Sequence, residues 1–246
     1  MDAILKRKVL RAPAVAGQEP YFHKDLATGA WSGACYEMAK NLAQSLQVEL
    51  QIVETTWGNQ ILDLQADKID FCTMVNPTPE RGLVMNFTRP ILEPTFMAIV
   101  RKGFPTPKTW ADLNKPDVRI AVDLGSSHET LARRNAPNAN ILGFKTRDEA
   151  LLALGSGRAD CNLAFTILAL TSVKKNPALG SLVVIDPPIK MEANLGIRIE
   201  DSSRFRDFLN TWIAYVRTTG QSREWFVNGL KLAGVMPEDI PSNVTF

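Results

Sequence analysis

Apolar residues recur along this chain in two rhythms. Val48, Leu50 and Ile52 alternate with polar neighbours, which predicts a strand over 48–54. Met38, Ala39, Leu42, Ala43 and Leu46 fall at helical spacing, which predicts a helix over 36–46. Further strands are expected at 9–12, stopped by Pro13, and at 69–75 and 96–101. A turn is expected at 27–30 and a short helix over 58–66. Another helix opens at Thr78-Pro79-Glu80, with Thr78 as its cap and Pro79 at its first position.

The second half repeats the pattern. Helices are expected at 110–113, 126–134, 146–154, from 166, at 203–218 and at 222–232. Strands are expected at 119–122, 141–144, 161–164, 182–185 and 195–198. Ser126 to Glu129 and Thr146 to Glu149 both have the spacing of a capping box. Strands alternating with helices argue for an α/β fold with parallel sheets. Two such blocks run over 9–96 and 102–186, and more strand and helix follow than the second block needs. The expected division is 1–97 with 190–246 as one lobe and 98–189 as the other. Two crossings then leave a cleft between lobes, where ligands prefer to bind.

The chain has 246 residues, 45% hydrophobic and 22% charged, and carries 28 basic against 26 acidic side chains. That excludes disordered, collagen-like and coiled-coil classes. The densest basic cluster is Lys6-Arg7-Lys8, too small a footprint for a nucleic-acid binder, so no nucleic-acid partner is expected. No apolar run approaches a membrane span, and the first residues lack the apolar core of a signal peptide. Either the protein stays in the cytoplasm or the chain starts after a removed signal. Cys35, Cys72 and Cys161 are far apart and read as small buried hydrophobes. With only His23 and His128 beside them, no metal or cofactor is expected. No dinucleotide, P-loop or metalloprotease motif occurs, and Ser127 beside His128 at a helix start does not make a dyad.

One set of landmarks is specific through its order. It comprises Pro20-Tyr21-Phe22, Gly33, Met38-Ala39-Lys40, Ile61-Leu62-Asp63-Leu64, Lys68-Ile69-Asp70 and Thr78-Pro79-Glu80-Arg81. Asn86-Phe87-Thr88-Arg89-Pro90, Ala111-Asp112-Leu113, Gly125-Ser126-Ser127 and Gly157-Arg158-Ala159-Asp160 follow. From about Val9 to Leu232 the chain resembles the type 3 periplasmic solute-binding proteins, the amino-acid receptors of bacterial ABC importers. The resemblance implies a two-lobe periplasmic-binding-protein fold with the ligand cleft between lobes. It further implies a monomer in the periplasm, without its signal peptide, that serves a membrane permease. Cyclohexadienyl dehydratases share this fold, and a lyase or a sensor ectodomain are the alternatives to a transport receptor.

Arg81 stands in the first turn of the helix capped by Thr78, where a guanidinium can grip a carboxylate with two parallel bonds. The resemblance gives it the α-carboxylate of the ligand, shared with Ser126 and Ser127 in the other lobe. It places backbone carbonyls and small hydroxyls at Thr73, Met74 and Asn76, although Asn76 is equally a turn residue before Pro77. Trp57 falls where relatives wall the pocket, and Gln18 where many carry an aromatic over the ligand. Tyr21 and Phe22 are expected to pack within a lobe. Two departures are informative. Ala34-Cys35 replaces the usual Phe-Asp after the glycine and reads as a repacked core. Phe165 stands where relatives that bind α-amino acids have the aspartate that pairs with the ammonium. Asp123 is the candidate replacement, with Glu192 second. The helix after the Ala159-Asp160 strand begins Thr166-Ile167-Leu168-Ala169-Leu170, without the acid that dehydratase relatives carry there. The expectation is therefore a non-enzymatic receptor for a small carboxylate-bearing solute.

Overall fold

The computed structural model describes residues 1–240. It divides into two units. One holds Met1–Glu93 and Glu192–Leu232; the other holds Pro94–Met191 with residues 233–240.

In the first unit a short helix, α1 (Asp2–Arg7), leads into β1 (Val9–Ala14). β1 pairs in parallel with β4 (Glu49–Glu54) across α2 (Ala34–Leu46). Pro13 does not stop β1, because the strand pairs only with β4 in its sheet and can spare the missing N–H. β2 (His23–Lys24) and β3 (Trp31–Ser32) form a small hairpin. Its turn is closed by Asp25, which accepts from Ala27 N and Thr28 N. α3 (Gln60–Gln65) precedes β5 (Cys72–Val75), and α4 (Pro79–Gly82) precedes β6 (Asn86–Phe87). The returning β12 (Asn194–Ile197) lies antiparallel between β5 and β6. α9 (Arg204–Thr218) and α10 (Gln221–Leu232) complete the unit. α2 buries Met38, Ala39, Leu42, Ala43 and Leu46, the predicted stripe, and its Asn41 accepts from Trp212 Nε1 on α9 at 2.9 Å.

The second unit is built on one five-stranded sheet, ordered β11-β7-β10-β8-β9. The strands are β7 (Phe96–Val100), β8 (Arg119–Asp123), β9 (Asn140–Phe144), β10 (Cys161–Phe165) and β11 (Ser181–Val183). α5 (Trp110–Leu113), α6 (Ser127–Asn135), α7 (Arg147–Gly155) and α8 (Thr166–Lys175) connect them. β8, β9 and β10 are parallel, whereas β7 runs antiparallel to β10 and β11. The sheets of both units are thus not all parallel. The strands that enter or return to a unit without a helical crossover are the antiparallel ones. β8 is buried on both faces: Ile120 and Val122 join the core with Leu131 and Phe165, while Ala121 packs against Ala150 and Ala153.

The unit boundaries fall at 93/94 and 191/192, so the second unit reaches beyond the expected 98–189 at both ends. The shift has a plain cause. Phe96 and Met97 pair with Phe165 and Ala164 in the second unit's sheet, and Thr95 bridges to Lys190. Residues 233–240 also depart from the expected lobe. Asp239 pairs with Lys174 of α8 at 2.7 Å, and that contact ties the segment to the second unit. The remainder of the expected assignment, 241–246, lies outside the described residues.

Each unit contains the same polar clamp. Asp70 N donates to Arg11 O, and Asp70 Oδ2 accepts from Arg11 N at 2.7 Å. Arg7 and Arg11 then close on its carboxylate at 2.6 and 2.8 Å. Asp160 N donates to Arg119 O, and Asp160 Oδ2 accepts from Arg119 N at 2.9 Å, with Arg101 and Arg119 at 2.9 and 2.8 Å. Burial alone would raise the Asp160 pKa, but these bonds outweigh it and bring the carboxyl down from 3.8 to about 2. A depressed carboxylate adds stability above its unfolded pKa and loses it as pH falls through the folded one. The Asp160 contribution should therefore be complete above about pH 4 and fade towards pH 2. Asp160→Asn leaves two arginines facing a neutral group and should cost about 3–5 kcal/mol in urea unfolding at pH 7. Against wild type, that cost should shrink as the pH is lowered from 4 to 2.

The three cysteines are buried as free thiols, as expected. Burial pushes all three up to about 12. An aromatic disulfide reagent should label none of them in the native protein within minutes, and all three in denaturant.

Candidate functional site

In the first unit the predicted residues form two groups. In the first, Trp57 Nε1 donates to Gln18 Oε1 at 3.1 Å, so these two candidates hold each other. The Trp57 ring meets Tyr21 edge-on at 5.8 Å and Phe22 at 6.1 Å. Tyr21 and Phe22 are themselves buried, and Tyr21 continues onto Phe226 of α10. The start of α2 fastens this group, because Ala34 N and Cys35 N donate to Pro20 O and Tyr21 O at 2.9 Å. Gly33 allows that approach: its φ is +108°, and a Cβ there would stand 2.6 Å from Tyr21 O.

The second group surrounds the end of β5. Thr73 and Met74 oppose the single residue Leu195, since Cys72 pairs with Gly196 and Val75 with Asn194. Such a bulge re-aims the strand, and Met74 takes up the strain with φ +53°. Thr73 is buried, with its N–H on Gln60 Oε1 at 2.8 Å and its hydroxyl beside the Cys35 thiol. Asn76 Nδ2 donates to Glu192 O at 2.7 Å, which ties the loop to the returning chain. Arg81 lies five residues on, half-buried, and its Nη1 donates to Asn76 O at 2.9 Å. Thr78 caps α4 by accepting from Arg81 N at 3.3 Å. No carboxylate lies within 4.0 Å of the Arg81 guanidinium among the described residues. Burial lowers its pKa, and Cys72 and then Glu80 only partly offset that. Arg7, Arg11, Arg101, Arg119 and Arg198, by contrast, all have acidic partners.

In the second unit the candidates gather at the carboxyl ends of β8 and β10. Asp123 ends β8, Gly125 turns the chain with φ +72°, and Ser126 caps α6. The Ser126 hydroxyl donates to Asp123 O at 2.6 Å and accepts from Glu129 N at 3.3 Å. The capping box is only half made, because Glu129 accepts from Gly125 N at 2.8 Å instead of returning to Ser126. Ser127 begins the helix, half-buried. Phe165 ends β10, its ring 4.2 Å from Phe96 and 5.0 Å from His128. His128 and Phe96 complete a cluster that the sequence did not flag. The Asp123–His128 interval of five matches neither the strand nor the helix period, so no pattern could have joined them. Asp123 Oδ2 stands 3.9 Å from His128 Nδ1. Burial raises the Asp123 pKa, opposed by Arg147. Burial and then Arg147 bring His128 down to about 3, so its ring is neutral at pH 7. Glu192, the second acidic candidate, is exposed, belongs to the first unit and accepts from Asn194 Nδ2 at 3.3 Å.

Among the described residues no group of three His, Cys, Asp or Glu could hold a metal ion. No described helix is long and apolar enough to cross a membrane. A surface cavity of about 500 Å³ lies between Ala16-Gly17 and His23–Leu26, but none of the predicted site residues lines it.

Residues 13–226 match the family model of bacterial extracellular solute-binding proteins, family 3. The chain belongs to that family. It is 26% identical over 219 residues to ABC transporter arginine-binding protein 1 of Escherichia coli, covering 86% of this chain and 88% of the relative. It is 24% identical over 230 residues to the cyclohexadienyl dehydratase of Pseudomonas aeruginosa, covering 91% and 83%. The crystal structure of an ancestral amino-acid-binding protein, a precursor of cyclohexadienyl dehydratase, superimposes with a TM-score of 0.80 at 31% identity, covering 92% of this chain and 98% of that one. The fold is that of the type II periplasmic binding proteins, and the family is one of amino-acid ABC solute-binding proteins.

Two outcomes follow from this geometry. Gly33→Ala forces a Cβ against Tyr21 O and should cost about 1–3 kcal/mol of stability, with a shift in tryptophan emission from Trp57. His128 should remain neutral from pH 7 to pH 5, read from its imidazole nitrogen shifts.

Proposed function

We propose that this protein is the extracytoplasmic receptor of an ABC importer and binds a small carboxylate-bearing solute related to an amino acid. One observation carries the reading. Arg81 is a half-buried guanidinium braced by a backbone carbonyl, with no carboxylate within ion-pair distance among the described residues. A desolvated cation of this kind gains most from an incoming anion, and the planar fork suits a carboxylate. The Ser126–Ser127 turn supplies backbone and hydroxyl donors to the same carboxylate from the second unit. Trp57, held by Gln18, walls the ligand, and the carbonyls of Thr73, Met74 and Asn76 border it. A ligand joined to both units favours their closed arrangement, and closure is what a membrane permease would read. The protein acts as a monomer in the periplasm after removal of a signal peptide.

A lyase is the second reading, raised by the dehydratase relative. The stretch Thr166–Leu170 at the start of α8 offers no acid, which favours the receptor. Incubation with prephenate or arogenate should give no product.

Calorimetry with L-arginine, L-histidine and L-glutamate tests the anchor. Arg81→Ala should weaken whichever of them binds by at least 100-fold, about 2.7 kcal/mol. An unchanged dissociation constant would remove Arg81 from the site.

A further inference from the structure

Gln60 opens α3 as a polar residue on the buried side of the helix. It is 1% exposed beside the buried Leu64, whereas Leu62 of the same helix is 62% exposed. Covering this face needs only an apolar side chain, and a buried carboxamide is costly unless it is hydrogen-bonded. Gln60 directs its bonds to two separate segments of the first unit. Its N–H donates to Thr56 O at 3.2 Å, in the loop that carries Trp57. Its side-chain Oε1 accepts from Thr73 N at 2.8 Å, and its backbone carbonyl accepts from the Cys72 thiol at 3.2 Å. Both acceptors thus hold the bulged end of β5, where Thr73 and Met74 oppose Leu195 alone. A bulge disrupts its ladder, and the Gln60 carboxamide serves the Thr73 amide there.

These contacts close into a ring. Trp57 meets Tyr21 edge-on, Tyr21 O accepts from Cys35 N, and the Cys35 thiol lies beside the Thr73 hydroxyl. Gln60 joins Thr73 back to the Trp57 loop. We propose that Gln60 is a positioning residue for the solute. It fixes the separation between the Trp57 wall and the β5 end, which leads through Asn76 to Arg81. The inference rests on the receptor reading and adds to it a residue that does not itself touch the solute. A binding constellation must be held to within about 0.5 Å by the bonds that support it. Removing the carboxamide leaves the buried Thr73 amide without its acceptor and frees the strand end to move against the Trp57 loop.

The wild-type protein gives the first readout. Saturation with whichever of L-arginine, L-histidine and L-glutamate binds should shift the nuclear magnetic resonance signals of the Gln60 side-chain amide. Gln60→Met keeps the length of the side chain but removes the acceptor, and should weaken that solute at least fivefold in calorimetry. Gln60→Glu restores an acceptor oxygen in either protonation state and should bind at least threefold more tightly than Gln60→Met. A purely structural role would lower the urea midpoint and leave the dissociation constant of the folded protein unchanged. Unmoved Gln60 signals, a loss below fivefold or a recovery below threefold would overturn the positioning role and leave the receptor intact. The signal test needs no variant, so it decides the matter should either substitution prevent folding. Binding of none of the three solutes would overturn both.

Discussion

A buried aspartate clamping one parallel strand of each unit, β1 or β8, is the interaction on which the rest depends. Asp70 and Asp160 each exchange two backbone-level bonds with an arginine, Arg11 or Arg119, and then neutralise two guanidinium groups. The clamp fixes register where the chain leaves a helix and enters β5 or β10. A one-residue slip in a strand buried on both faces would drive charged groups into the core. Candidate residues on the following strand ends, Thr73 to Asn76 in one unit and Phe165 in the other, inherit their positions from it.

The strand ends are where local rules are broken. Met74 holds a left-handed backbone that a methionine seldom adopts, within a bulge that opposes two residues to one. Asp123 Oδ1 and both ring nitrogens of His128 are buried without hydrogen-bond partners among the described residues, beside aromatic rings. Arg81 is desolvated without an anion. None of these features stabilises the folded chain by itself. Such a distribution of strain and desolvation is expected where binding free energy is to be converted into a change of state.

The two poles differ in chemistry. The Arg81 pole is cationic and braced by backbone, suited to a planar anion. The Asp123 cluster of the second unit is acidic and aromatic.

Sequence by itself determined most of the secondary structure and the family. The stripe of α2, the caps at Thr78 and Thr146 and the β4 alternation are local effects, set within a few residues by periodicity and hydrogen-bonding side chains. It also singled out Arg81, since cap, proline and arginine fall within four positions. Tertiary structure decided what depends on partners distant in the chain. It carried β1 through Pro13, moved the crossings to 93/94 and 191/192, and set β7 and β12 antiparallel. It turned Gln18 from a gap in a pattern into the acceptor that holds Trp57, 39 residues away. It brought His128 and Phe96 to Asp123 and Phe165, a grouping that spans three strands and a helix. The reason is physical: a cap or a stripe is settled by its own neighbours, whereas the burial and pairing of a charge exist only once the sheet has closed around it.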